Sequence, residues 1–136
     1  MNLTRAAAIL YAILSFFVIA FQIALAAGAP WGEVAMGGAF PGQFPPPLRV
    51  AALVQATLLA GMAAVVLTRA GLILPRWSRA SRWLMWFVVA FAALSFFLNL
   101  ITPSAGERAV WAPTTFLLLL SSSSVAFSRP EENPSE

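Results

Sequence analysis

Apolar residues along this chain collect into four long blocks, and polar residues, prolines and glycines collect into the stretches between them. The blocks cover about 6–27, 50–68, 83–101 and 110–127, and each approaches the roughly 20 residues that a helix needs to cross hydrocarbon. The first follows Arg5 and carries only Tyr11, Ser15 and Gln22 as polar interruptions. It is longer than the roughly 7–15 apolar residues of a signal peptide, so it reads as a retained helix despite the small-residue sequence Ala24-Leu25-Ala26. The second lies between Arg49 and Arg69, with Ala52, Ala56, Ala60 and Ala64 four apart and Gly61 beside them. That spacing predicts a smooth face along which a neighbouring helix packs closely. The third ends in Asn99, Thr102 and Ser104, with Pro103 as its terminator. In the fourth, Pro113 is expected in the first turn, where a missing donor costs little. Its hydroxyl run, Ser121 to Ser124, is expected to bond its own backbone or a neighbouring helix.

The interruptions differ in kind. Residues 28–48 hold five prolines and five glycines. No regular element is expected there, and such backbone is tolerated at membrane depth only where protein covers it. Residues 70–82 form a basic turn in which Arg76, Arg79 and Arg82 alternate with Trp77 and Trp83. Arginine stems snorkel and tryptophan settles at headgroup depth, so these five residues are expected to contact lipid headgroups. Arg5, Arg69, Arg76, Arg79, Arg82 and Arg129 flank one face of the expected bundle, against Arg49 and Arg108 on the other. Six against two predicts that both termini are cytoplasmic and that the Gly/Pro loop faces outward. The tail, residues 129–136, is polar and acidic with two prolines and is expected to be disordered.

Composition sharpens this picture. The chain is 60% hydrophobic and 10% charged, which excludes a water-soluble globule. It contains no His, Cys, Lys or Asp, only eight Arg and five Glu, for a net charge of +3. Disulfides, thiolate nucleophiles, the usual zinc, haem and iron–sulfur ligand sets, Ser–His–Asp triads and lysine Schiff bases are therefore excluded. The expectation is an all-α four-transmembrane-helix bundle over residues 1–128, with no metal, no cofactor, no catalytic residues, no nucleic-acid partner and no enzymatic activity.

Two parts of the chain resemble each other. Residues 12–17, Ala-Ile-Leu-Ser-Phe-Phe, match residues 92–97, Ala-Ala-Leu-Ser-Phe-Phe, and each is followed by Gly-Glu-x-Ala, at Gly32-Glu33 and Gly106-Glu107. A duplicated helical hairpin is one reading of this echo. Residues 28–49 also follow the pattern G-A-P-x-G-E-x-x-x-G-G-x-x-P-G-x-x-P-x-x-x-R, and residues 99–108 follow N-x-x-T-x-S-x-x-E-R. With these motifs the chain resembles an uncharacterised family of small four-helix bacterial integral membrane proteins. The resemblance implies the four-helix architecture and a bacterial cytoplasmic (inner) membrane, and implies no activity.

Candidate chemistry is confined to the outward end. Glu33, Arg49, Glu107 and Arg108 are its ionisable groups. One reading makes them two ion pairs, Glu33 with Arg108 and Glu107 with Arg49, stapling the loop over the bundle. The other makes them a polar mouth that binds the head of a lipid-like or amphipathic ligand, with Asn99, Thr102 and Gln43. The function expected is contact, as an accessory subunit or a lipid- or amphipath-binding protein. Its partners would be membrane lipids, other membrane subunits or further copies of the chain. The alternative is an oligomeric small-molecule transporter, although the central membrane stretches lack the ionisable residue such transporters generally use for coupling.

Overall fold

Local capping sets where the helices begin. Asn2 Oδ1 accepts a hydrogen bond from the Arg5 N–H at 2.8 Å, satisfying a donor that the first helical turn leaves free, and α1 runs Leu3–Ala26. The computed structural model describes residues 2–128, so the expectation for the 129–136 tail lies outside the described residues. Helix α2 runs Pro46–Arg69, four residues earlier than the apolar block, because Pro46 and Pro47 occupy its first two positions, where an absent N–H is no loss. Helix α3 runs Ser78–Ile101, entered through a 3₁₀ turn at Pro75–Trp77. The basic turn is thus shorter than expected: Arg79 and Arg82 are helical. Helix α4 runs Ala105–Ala126, so Pro113 lies inside it rather than in its first turn. The cap explains the difference, because Ser104 Oγ accepts from the Glu107 N–H at 3.1 Å and opens the helix before the hydrophobic block begins.

All four helices are long and apolar enough to cross a membrane. At about 1.5 Å per residue, each extends at least about 33 Å against a hydrocarbon core of about 30 Å. Large side chains such as Phe16, Phe17, Val54, Phe87, Leu94 and Phe97 are exposed on the outside of the bundle. Such a surface is unfavourable in water and compatible with lipid.

The helices form an antiparallel bundle. Helix α1 packs most extensively on α2 and α3 on α4, and the ring closes through α1 with α4 and α2 with α3. The main core is built from Ala8, Tyr11, Met62, Val66, Met85, Val88 and Val125, with their partly buried neighbours. The alanine strip lies only partly in it: Ala52 and Ala56 are buried, Ala60 is exposed, and the buried face passes to Leu59, Met62 and Val66. Four residues exceed a 3.6-residue turn by about 40°, so a strict four-residue strip rotates out of a straight interface after two steps. The hydroxyls stay on their own helices. Ser121, Ser122 and Ser124 donate to Leu117, Leu119 and Leu120 carbonyls at 2.7, 3.2 and 2.9 Å.

A second core cluster lies at the other end, where Leu25 and Ala52 meet Ala35 and Phe44 of the Gly/Pro segment. That segment contains two short 3₁₀ turns, Gly32–Val34 and Met36–Gly38, against the expectation of no regular element. Its side chains complete the core, which gives its irregular backbone the protein cover it needs. The two hairpins differ at their links: residues 27–45 join α1 to α2, whereas residues 102–104 alone join α3 to α4.

Candidate functional site: a cap at the loop end

The loop-end cap is organised around one carboxylate. Glu107 stands in the first turn of α4, where the helix dipole favours an anion. Its Oε2 accepts from the Gly37 N–H and from Thr102 Oγ1, both at 2.8 Å. In the usual capping box, a glutamate at this position would turn back to the cap residue's own N–H. Here the Ser104 N–H donates instead to Thr102 Oγ1 at 3.3 Å, and Glu107 is freed to reach the loop. Gly37 has φ +70°, a conformation that favours glycine, and lies close to Thr102 and Pro103. The sequence places a glycine where the backbone must turn its N–H onto the carboxylate.

Two further bonds tie the same loop to α4. Ser104 Oγ donates to the Glu33 carbonyl at 2.7 Å, and Trp111 Nε1 donates to the Val34 carbonyl at 2.9 Å. Trp111 also meets Phe21 of α1 edge-on, with ring centroids 4.7 Å apart, and Phe21 stacks on Trp31 of the loop at 6.0 Å. Helices α1 and α4 and the loop are therefore joined by one aromatic group. Inside the loop, the Gly32 N–H donates to the Gly42 carbonyl at 2.9 Å. A Cβ at Gly32 would overlap the Phe40 carbonyl oxygen, so this approach requires glycine.

The two arginines also donate to backbone. Arg49 Nε donates to the Phe44 carbonyl at 2.8 Å, and its guanidinium lies beside Gly28. Arg108 Nη2 donates to the Thr102 carbonyl at 2.6 Å. Among the described residues no glutamate is ion-paired with an arginine, so the expected pairs, Glu33 with Arg108 and Glu107 with Arg49, are not formed. Loop and helix-end backbone groups need partners at the same place and take Glu107, Arg49 and Arg108, while the Glu33 side chain is exposed.

Of the residues singled out in the sequence, Thr102, Glu107 and Arg108 are brought together. Glu33 joins them through its carbonyl, while its side chain is exposed. Arg49 holds a different part of the loop, and Asn99 donates to Ser95 of its own helix at 2.8 Å. Gln43 is exposed. Gly37, Phe44, Ser104 and Trp111 were missed as parts of this assembly. Only Ser104 carried a usable signal, the Ser-x-x-Glu spacing to Glu107. At the opposite end, Arg76, Trp77, Arg79, Arg82 and Trp83 are all exposed. The described residues offer no group of three or more His, Cys, Asp or Glu that could hold a metal ion.

The cap is therefore a hydrogen-bonded assembly of loop and helix ends, at whose surface the Glu33 and Arg108 side chains remain exposed. Its outer surface shows Trp31, Met36 and Phe40, each at least two-fifths exposed. No protein-family model matches the chain, and neither a curated protein nor a solved structure is significantly similar to it.

Proposed function

We propose that this chain is an accessory membrane protein that acts by contact, presenting the loop-end cap to another membrane subunit. The observation that carries the reading is the use made of Glu107, Arg49 and Arg108: each hydrogen-bonds the loop or a helix end, so the charged groups at this end help to hold the shape of the cap. A held backbone with exposed aromatic and apolar side chains suits recognition, because little ordering entropy remains to be lost on binding. Oligomeric transport is the weaker reading, since among the described residues no carboxylate or guanidinium occupies the middle of a helix.

On this reading the chain belongs with the small four-helix bacterial proteins that its loop motifs resemble. It resides in the bacterial cytoplasmic membrane with both termini inside and the cap outside, as the arginine asymmetry supports. The test is photo-crosslinking in the native host membrane from Phe40 or Gln43, with Leu94 on the lipid-facing side as control. A single membrane protein, captured stoichiometrically from the cap positions only, is the expected result. Equal capture from Leu94, or substrate flux through the purified chain in proteoliposomes, would overturn the proposal.

A further inference from the structure

The end of the bundle away from the cap carries a different feature. A cleft of about 130 Å³ opens there between α2 and α3. Ala64 and Val65 form one wall, Ala80 and Leu84 the other, and Leu74 and Trp77 of the connecting turn close the end. Thr68 and Ser81 also line it, but their hydroxyls donate to the Ala64 and Ser78 carbonyls of their own helices, both at 2.7 Å. The cleft therefore presents a hydrocarbon surface. Its end wall is held by unusual backbone: Leu74 adopts the left-handed region with φ +44° and ψ +62°, three residues after Gly71 at φ +78°. A leucine rarely takes that conformation, and here it sets Leu74 and Trp77 at the mouth.

Among the described residues, charge at this end of the bundle is of one sign. Arg69 ends α2, Arg76 lies in the turn beside Trp77, and Arg79 and Arg82 lie in the first turns of α3. Arg76, Arg79 and Arg82 are exposed, and both described glutamates are at the other end of the molecule. We infer that this cleft is a specific site for one anionic phospholipid, whose acyl chain lies between α2 and α3 and whose phosphate is held by Arg76 and Arg79. An apolar slot whose lining residues Trp77 and Ala80 are chain neighbours of Arg76 and Arg79, arginines that no described carboxylate pairs, matches the two halves of such a lipid, and neither half alone would bind tightly.

The test uses the full chain in neutral detergent, with native mass spectrometry and thermal unfolding. Phosphatidylglycerol is compared with phosphatidylcholine of the same acyl chains and with inorganic phosphate. One phosphatidylglycerol should bind saturably and raise the melting temperature, whereas phosphate should do neither. Arg76→Gln and Arg79→Gln should each cut the preference for phosphatidylglycerol about fivefold, the effect expected of one arginine near an anionic headgroup. Ala80→Phe should abolish the saturable step by filling the slot with every arginine still present. Ala64→Leu, from the opposite wall, makes the same test if Ala80→Phe does not fold. Quenching of Trp77 by bromine-labelled acyl chains, with Trp77→Phe as control, reads occupancy directly. Equal shifts with both lipids, a response to phosphate alone, or saturable binding that survives the slot-filling variant would overturn the inference.

Discussion

Removing the carboxylate of Glu107 should release the cap from α4. The Glu107→Ala change leaves the Gly37 N–H and the Thr102 hydroxyl without their shared acceptor, and takes the anion away from the start of the helix. Hydrogen bonds to a charged group contribute about 1.5–3 kcal/mol each, but both use one oxygen of a half-buried side chain that water partly replaces. Loss of the anion from the first turn adds about 0.3–1 kcal/mol. A net destabilisation of about 2–4 kcal/mol follows. Glu107→Gln keeps a carbonyl oxygen in nearly the same place and should cost only about 1 kcal/mol, since the acceptor survives and only its charge is lost. Reversible unfolding in mixed detergent micelles gives the energies. Hydrogen exchange at the Gly37 amide locates them, and should accelerate strongly in Glu107→Ala and weakly in Glu107→Gln. If the alanine variant loses less than about 0.5 kcal/mol, the margin within which independent surface changes fall, Glu107 does not anchor the loop. Equal losses in the two variants would refute the reasoning in a different way, by showing that charge rather than acceptor geometry holds the cap.

Three further outcomes follow from the packing. Gly32→Ala should disrupt the loop, because its Cβ would meet the Phe40 and Gly42 carbonyl oxygens, whereas Gly61→Ala, with nothing within 4 Å, should be neutral or stabilising; melting temperatures of the two variants decide this. Ala56→Leu should cost about 1–3 kcal/mol by overpacking a buried contact, and Ala60→Leu should be tolerated on the exposed side, so equal effects would contradict the rotation of the alanine strip. Because the chain has no native cysteine, Gln43→Cys and Ser78→Cys report topology cleanly. Labelling by an impermeant reagent in intact cells should mark Gln43→Cys alone, and labelling of Ser78→Cys would reverse the proposed orientation.

Helix number and class were legible in the sequence because they depend on solvent transfer summed over about 20 residues, which no single neighbour overrides. The hydroxyls of α4 likewise behave as isolated-helix chemistry requires, bonding carbonyls one turn back. Helix starts were less legible, since an apolar block marks the membrane rather than the helix. Ser104 and Pro46 begin their helices ahead of the hydrophobic stretch because capping and the tolerance for proline are settled at the first turn. The alanine spacing identified a packing face but not its length, which depends on where the 3.6-residue turn carries each side chain.

What only the tertiary structure decided is the allocation of the charges at the loop end. Two glutamates and two arginines near one another in a predicted topology suggest ion pairs, because sequence shows side-chain charges and conceals the demands of the backbone. Folding brings Gly37 to Glu107 across 70 residues and Val34 to Trp111 across 77, and supplies carbonyls at Phe44 and Thr102 that need donors. An irregular loop has no ladder of its own, so its N–H and C=O groups compete for every polar side chain within reach. The composition of residues 28–48 determined that such a loop would exist. Which side chains satisfy it was determined by the order in which four packed helices bring their ends together.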